Sequence, residues 1–132
     1  MTKGWATAAL AVVAAALVGA GLLLSGGPDQ ARKERRDRQR LDDLVALEPL
    51  VDCLANANRG QLPDRLAPGL QCNWPAGLED PFTGQPYRYA RTGPRSYRLC
   101  AGFETPPPDG DRFGPFMRDA EGCIGRLYVP ER

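Results

Sequence analysis

The feature that most constrains this chain is an uninterrupted apolar run near its N-terminus. Residues 5–25, WATAALAVVAAALVGAGLLLS, contain no charged side chain. As an α-helix rising 1.5 Å per residue, a run of this length spans roughly 30 Å, the thickness of a hydrocarbon core. A globular helix of that length normally shows a polar stripe, and this run has none. The sequence therefore predicts a membrane contact through residues 5–25 and an N-terminal membrane anchor over residues 1–27.

The apolar run is longer than the 7–15 residues typical of a signal peptide. Its Val18-Gly19-Ala20 segment has the small residues of a cleavage site, but Gly21–Leu24 continues the run beyond that point. We expect an uncleaved single-pass anchor. A cleaved signal peptide is the alternative.

Two features disagree about which side of the membrane the rest of the chain occupies. The positive-inside rule counts basic residues, and the run that follows the anchor would place that side in the cytoplasm. The four cysteines indicate the opposite, because they lack metal-ligand spacing and are typical of two disulfides, which need an oxidising compartment. We favour an extracytoplasmic domain on the bacterial cytoplasmic membrane. The basic residues in question are Arg32, Lys33, Arg35, Arg36, Arg38 and Arg40.

Composition excludes several classes of function. The chain has no histidine, and Ser25 and Ser96 are its only serines, so Ser-His and Cys-His nucleophiles and His-ligated zinc are ruled out. The cysteine spacing contains no CxxC for redox or zinc-ribbon chemistry. Adjacent acids such as Asp42-Asp43 and Glu79-Asp80 diverge on a helix or strand. A net charge of +1 does not favour nucleic acid. We expect a protein that is not an enzyme, with no cofactor, metal or small-molecule substrate.

Residues 28–59 are predicted to form a charged juxtamembrane and amphipathic helix. Pro28 suits a first helical turn, and the alternating charges that follow are typical of a solvated face in contact with lipid headgroups. Pro49 predicts a kink or a restart because it removes the hydrogen bond to the Val45 carbonyl. Gly60 is the expected helix stop. An apolar stripe at helical spacing is expected to face the core: Leu41, Leu44, Val45, Leu47, Leu50, Val51 and Leu54.

Residues 60–79 are predicted to be a loop, with Leu70 and Trp74 packed beneath it, and residues 80–132 a small antiparallel sheet. Tyr87 and Tyr89 share one face of a short strand, and residues 92–95, TGPR, make a reversal. Residues 96–104, SYRLCAGFE, then alternate with an apolar face. Residues 126–129, RLYV, are predicted to be the third strand. The predicted fold is α+β: a transmembrane helix that continues into a kinked helix packed on a three-stranded antiparallel sheet.

This order of elements resembles the type IV pilins and the pseudopilins of type II secretion. The segment DPFTGQPYRY, Asp80–Tyr89, is similar to the start of the sheet in major pseudopilins. The segment YRLCAGF, Tyr97–Phe103, is similar to a strand of uncharacterised bacterial membrane-anchored proteins with a pilin-like tail domain. The resemblance implies an anchored envelope domain that scaffolds or binds protein. The alternative is a minor pseudopilin that polymerises.

The chain departs from the prepilin pattern at two places. Gly4-Trp5 matches a processing site, but Ala9 stands where prepilins have the Glu that registers a subunit against its neighbour, so we expect neither processing nor assembly into a fibre. Pseudopilins bind calcium between the last strands, where this chain has Asp109, Asp111 and Asp119. This loop lacks EF-hand-like ligand spacing, and we expect a solvated turn.

The cysteines are predicted to pair as Cys100–Cys123 and Cys53–Cys72. Cys100 alternates with Leu99 and so points away from the apolar face that the helix covers. Cys123 comes just before the neighbouring strand, where Cα atoms lie within disulfide reach of about 5.5 Å. Cys53 on the helix is then left for Cys72 in the loop.

Overall fold

The computed structural model describes residues 3–69, 71–73, 77–107 and 117–130. The fold is α+β, as predicted. Contacts divide the chain into an N-terminal unit that ends at Arg35 and a C-terminal unit that begins at Arg36. The elements in the described residues are α1 (Lys3–Leu24), α2 (Gly27–Ala46), α3 (Glu48–Ala57), β1 (Arg88–Arg91), β2 (Ser96–Cys100) and β3 (Cys123–Leu127).

Helix α1 is the predicted apolar segment. This segment begins a bent helical run of 54 residues, Gly4–Ala57. By length and composition, its apolar part near the N-terminus is sufficient to cross a membrane. The α1 side chains between residues 5 and 24 are exposed, and Leu23 and Leu24 are 85% and 89% exposed. Each Å² of apolar surface left in water forgoes about 25 cal/mol of burial free energy. This surface is therefore suited to hydrocarbon surroundings.

Ser25 and Gly26 separate α1 from α2, which begins at Gly27. The last backbone bond of α1 runs from the Ser25 N–H to the Gly21 carbonyl, at 3.0 Å. Gly26 and Gly27 then take φ values of 81° and 70°, which side chains disfavour. A Cβ on Gly26 would also lie 2.9 Å from Gln30. The chain then enters α2 with a proline in its first turn, as the sequence predicted.

Pro49 restarts the helix, which confirms the predicted break. Helix α2 ends at Ala46, and Pro49 lies in the first turn of α3. The amide groups of Leu50 and Val51 both donate to the Leu47 carbonyl at 3.1 Å. Because proline has no N–H, it is accommodated at the start of a helix, where that group would have no partner.

The core of the C-terminal unit lies between the α2 and α3 residues of that unit and one face of the sheet. The predicted helical stripe faces this core along its whole length, with Leu44, Leu47, Leu50 and Val51 fully buried. The sheet contributes buried side chains from all three of its strands or their flanking residues. These are Tyr87, Tyr97, Leu99, Ile124 and Tyr128.

The sheet is an antiparallel meander in the order β1-β2-β3. Leu99 is the Cα partner of Tyr89 on one side and of Ile124 on the other. The predicted reversal is present, because the amides of Thr92 and Gly93 both donate to the Ser96 carbonyl, at 2.9 and 3.1 Å. The alternation of β2 places Tyr97 and Leu99 toward the helices, as predicted.

The ends of two strands differ from the prediction. The third strand was predicted over residues 126–129 but occupies Cys123–Leu127. Strand β2 ends at Cys100, although the alternating pattern continues to Phe103. The reason is a competing set of hydrogen bonds: the Glu104 and Thr105 amides donate to Asp37 of α2 and draw the chain away from the sheet.

Some predictions fall outside the described residues. Leu70 and Trp74, which were expected to pack beneath the 60–79 loop, are among them. So are Asp109 and Asp111 of the loop between the last strands.

Candidate functional site

The four cysteines form the two predicted pairs. Cys53 and Cys72 are joined with a Cα–Cα distance of 5.9 Å, and Cys100 and Cys123 with a distance of 4.0 Å. The second pair lies in register across β2 and β3. The first ties α3 to the loop that follows it. Each bond is a cross-link within the C-terminal unit, and the described residues include no free cysteine.

The polar centre of this unit is Arg40, whose side chain is 1% exposed. Its Nε donates to Asp80 Oδ2 at 2.6 Å, and its Nη1 donates to Asp37 Oδ1 at 2.8 Å and to Glu104 Oε2 at 2.9 Å. Its Cζ also lies 5.4 Å from the centre of the Phe82 ring. A buried guanidinium is tolerated only when carboxylates neutralise it and accept its hydrogen bonds. We call Asp37, Arg40, Asp80 and Glu104 the Arg40 cluster.

Asp37 binds the chain that leaves β2. Its Oδ1 accepts the Glu104 amide at 2.9 Å, and its Oδ2 accepts the amide and the hydroxyl of Thr105 at 2.8 and 2.5 Å. Arg118 reinforces this segment by donating to the Thr105 carbonyl at 2.7 Å, with its Cζ 3.9 Å from the Phe103 ring centre. One helix carboxylate therefore fixes three donors of a loop.

Asp80 binds the turn that leads into the sheet. Its Oδ1 accepts the Phe82 amide at 2.8 Å, and its carbonyl accepts the Gly84 amide at 2.8 Å. The other carboxylate oxygen is held by Arg40. The segment Asp80–Gly84 is thus a closed turn pinned to the helix by its first side chain, which explains an aspartate before proline at this position.

Glu104 completes the cluster at its solvent side. Arg36 forms a bidentate ion pair with the Glu104 carboxylate, donating from Nε at 2.7 Å and from Nη2 at 2.8 Å. Hydrogen bonds from Arg36 and then from Arg40 hold the pKa of the Glu104 carboxyl below its ordinary value. The paired geometry orients both side chains.

The cluster keeps its carboxyl groups ionised. Burial raises the pKa of Asp37, but hydrogen bonds from Thr105 and Glu104 lower it further, and the resulting pKa is below the ordinary value. The pKa of Asp80 is lowered in the same way: burial opposes ionisation, while the Phe82 amide and Arg40 outweigh it. Carboxylates with lowered pKa values and occupied oxygens are poor proton donors at neutral pH. The arrangement is suited to holding chain segments in place.

The cluster corrects one sequence-based expectation. The basic run 32–40 was interpreted as a solvated face, yet Asp37 and Arg40 are buried and Arg36 is partly covered. The buried face of α2 carries Asp37, Arg40 and Leu44. A signal for this was present, because extending the apolar stripe back from Leu44 by one and two turns lands on Arg40 and Asp37.

Asp119 lies in the loop where pseudopilins bind calcium, but its carboxylate oxygens accept hydrogen bonds from protein groups. Its Oδ2 accepts a 2.8 Å bond from Arg98, and its Oδ1 accepts the amides of Glu121 and Cys123 at 2.9 Å. Asp119, Glu121 and Cys123 are close enough to hold a metal ion. Cys123 is in a disulfide, however, and both acids pair with Arg98.

A cleft of 450 Å³ lies beside the cluster, between the Thr83–Arg88 segment and Cys100–Gly102. It opens where the chain before β1 diverges from the chain after β2. Asp80 lines it, but both of its carboxylate oxygens already have partners. The cleft thus offers a ligand no unpaired carboxylate at that point.

No protein-family model, curated protein or solved structure matches this chain.

Proposed function

We propose that the chain is a non-enzymatic, single-pass membrane-anchored envelope protein of bacteria. Its C-terminal unit is an extracytoplasmic domain that scaffolds or binds another protein. The observation that carries this proposal is the succession of an uncovered apolar helix, α1, and a small unit closed by two disulfides. The helix supports anchoring, and the disulfides support a domain in an oxidising compartment.

The Arg40 cluster supports a scaffold in preference to a catalyst. Its charged groups form the hydrogen bonds that hold the Asp80 turn and the Glu104–Thr105 segment against α2. Catalytic sites usually keep a titratable group poised near the working pH. Here hydrogen bonds and ion pairing outweigh the effect of burial and keep the carboxylates ionised.

The test is fractionation and thiol labelling of the full chain in a bacterial host. We expect it in the membrane fraction after alkaline washing, at the mass of the uncleaved chain, with its four cysteines unreactive to a maleimide until a reductant is added. A soluble product that begins near Gly21, or four reactive thiols in untreated cells, would contradict the proposal. A reporter fused after Arg132 gives an independent measure of orientation.

The second candidate is a minor pseudopilin. It is favoured by the order of elements, in which a long N-terminal apolar helix precedes a small antiparallel sheet, as in pilin-like architecture. Ala9 weighs against it, because the resemblance calls for Glu at that position. Co-expression with a prepilin peptidase distinguishes the two candidates. We expect an unchanged mass, and loss of residues 1–4 would favour the pseudopilin.

A further inference from the structure

Strand β3 has an outward edge whose backbone groups are directed away from β2. Hydrogen bonds from Ala101 to Gly122, at 3.0 Å, and from Tyr128 to Arg95, at 2.7 Å, flank the β2–β3 ladder. Antiparallel pairing alternates hydrogen-bonded and close, non-bonded pairs, and the 4.0 Å Cα distance of Cys100–Cys123 fits a non-bonded pair. By this alternation, the amide and carbonyl groups of Gly125 and Leu127 point outward.

Two other stretches of the sheet edge have neighbouring chain within the described residues. At the start of β3, the Cys123 amide and carbonyl are both bonded to Asp119. Along β1, Tyr89 and Arg91 donate from their side chains to the carbonyls of Pro63 and Leu62. Natural edge strands are commonly protected in this way. Among the described residues, the outward backbone groups of Gly125 and Leu127 receive one contact, at 3.4 Å, from the Arg126 side chain to the Gly125 carbonyl.

The open edge is apolar and complementary to itself. Leu127 and Val129 are 74% and 78% exposed. Gly125, which faces the same side of the sheet, has no atom within 4 Å of where a Cβ would be. In an antiparallel pair with a two-fold axis at Leu127, Leu127 meets its own copy and Val129 fills the space beside Gly125. Pro130 has no backbone N–H, but by the same alternation that group would face β2. The proline therefore removes none of the outward-directed backbone groups of the edge.

The size of the edge decides which partner fits it. A strand pair of about five residues buries far less than the roughly 1,200–2,000 Å² of a stable interface between freely diffusing proteins. Such a contact forms when the partner is already held close, since tethering raises the effective concentration. Anchors in one bilayer supply this proximity, so the argument rests on the proposed function.

We propose that β3 pairs antiparallel with β3 of a second copy of this chain in the same membrane, over residues 125–129 and centred on Leu127. The two meanders then form one six-stranded sheet. Both copies use the same surface, so the assembly closes as a dimer.

Cross-linking of the full chain in native membranes tests the pairing. Leu127→Cys places two thiols on partner residues about 5.5 Å apart between Cα atoms, within reach of a short bismaleimide. The matched control is Ala90→Cys, exposed on β1, where the two copies would be about 24 Å apart across five strand spacings. We expect a covalent dimer from Leu127→Cys and little from Ala90→Cys. Equal yields from the two variants would overturn the proposal.

An exchange of side chains tests the register. In the Leu127→Cys background, Gly125→Val should reduce the dimer yield about tenfold, which corresponds to an overpacking cost of about 1.4 kcal/mol. Adding Val129→Gly moves the bulk to the other position and should restore the yield. A yield that the double exchange does not restore would refute this register.

Fractionation of the same cells separates failure of the pairing from failure of the anchor. Membrane-bound chain without selective Leu127→Cys cross-linking contradicts the pairing and leaves the proposed function standing. Chain released into the soluble fraction contradicts the proposed function. Because the pairing depends on tethering, chain in the soluble fraction should also lose the cross-link. Selective cross-linking in the soluble fraction would contradict the role of the membrane.

Discussion

The Arg40 guanidinium donates a 2.6 Å hydrogen bond to the Asp80 carboxylate across 40 residues of sequence. It joins the helical half of the C-terminal unit to the turn that precedes the sheet. The same side chain reaches Asp37 and Glu104. Removing it would leave carboxylates in a buried position with fewer donors.

Arg40→Met is expected to lower the free energy of unfolding by about 3 kcal/mol, because it strands Asp37 and Asp80 as buried charges. The matched control is Arg38→Met, an exposed position on the same helix, with an expected change within about 0.5 kcal/mol. Urea unfolding of the two variants measures the difference. Equal losses would mean that the cluster contributes nothing specific.

Acid should destabilise the C-terminal unit. The pKa values of Asp37, Asp80 and Glu104 are lowered in the folded state. Their contribution is therefore present above the unfolded pKa of about 4 and is lost as the pH falls through the folded values. Unfolding free energies between pH 7 and pH 2 measure the effect. Asp80→Asn should flatten this profile, whereas Asp64→Asn, at an exposed side chain, should leave it unchanged.

Each disulfide is expected to contribute roughly 3 kcal/mol to stability by restricting the unfolded chain. The sequence separations are 19 for Cys53–Cys72 and 23 for Cys100–Cys123, so the two contributions should be similar. Paired serine substitutions, one pair at a time, followed by denaturant unfolding, measure each one. Losses below about 1 kcal/mol would contradict the chain-entropy explanation.

Arg59→Gly should stabilise the end of α3. The helix ends at Ala57, and Arg59 adopts φ of 58°, the left-handed region that favours glycine. The following Gly60 has φ of 79° and donates from its amide to the Ala55 carbonyl at 2.8 Å. We expect a gain of about 0.5–1 kcal/mol from Arg59→Gly, and a loss from Gly60→Ala as the opposite control. Thermal unfolding of both variants tests this, and the same sign for both would contradict it.

Features that depend on local periodicity were predictable from the sequence. The apolar run predicted α1, and the stripe from Leu41 to Leu54 predicted the core face of the helices. The alternation of the tyrosines predicted the hairpin. Pro49 marked the helix break because its effect on the backbone is local. The disulfide pairs followed from which face of β2 carries Cys100.

Features that depend on distant partners were not predictable. Charged residues are expected at the surface, and nothing near Asp37 or Arg40 in sequence announces Asp80 or Glu104 as partners. The end of β2 was misplaced for the same reason, since hydrogen bonds to Asp37 compete with continued pairing. The start of β3 was missed because Cys123 and Gly125 carry a weaker strand signal than Leu127–Val129.

The Cys100–Cys123 bond also governs what a protease can accomplish. A single cut between these residues would hydrolyse a peptide bond but leave β3 covalently attached to β2. The same holds for a cut between Cys53 and Cys72, with α3 retained. Nicked molecules would keep their mass on a non-reducing gel and separate into fragments only after reduction. Backbone damage within these two loops would thus precede any release of the strand or helix.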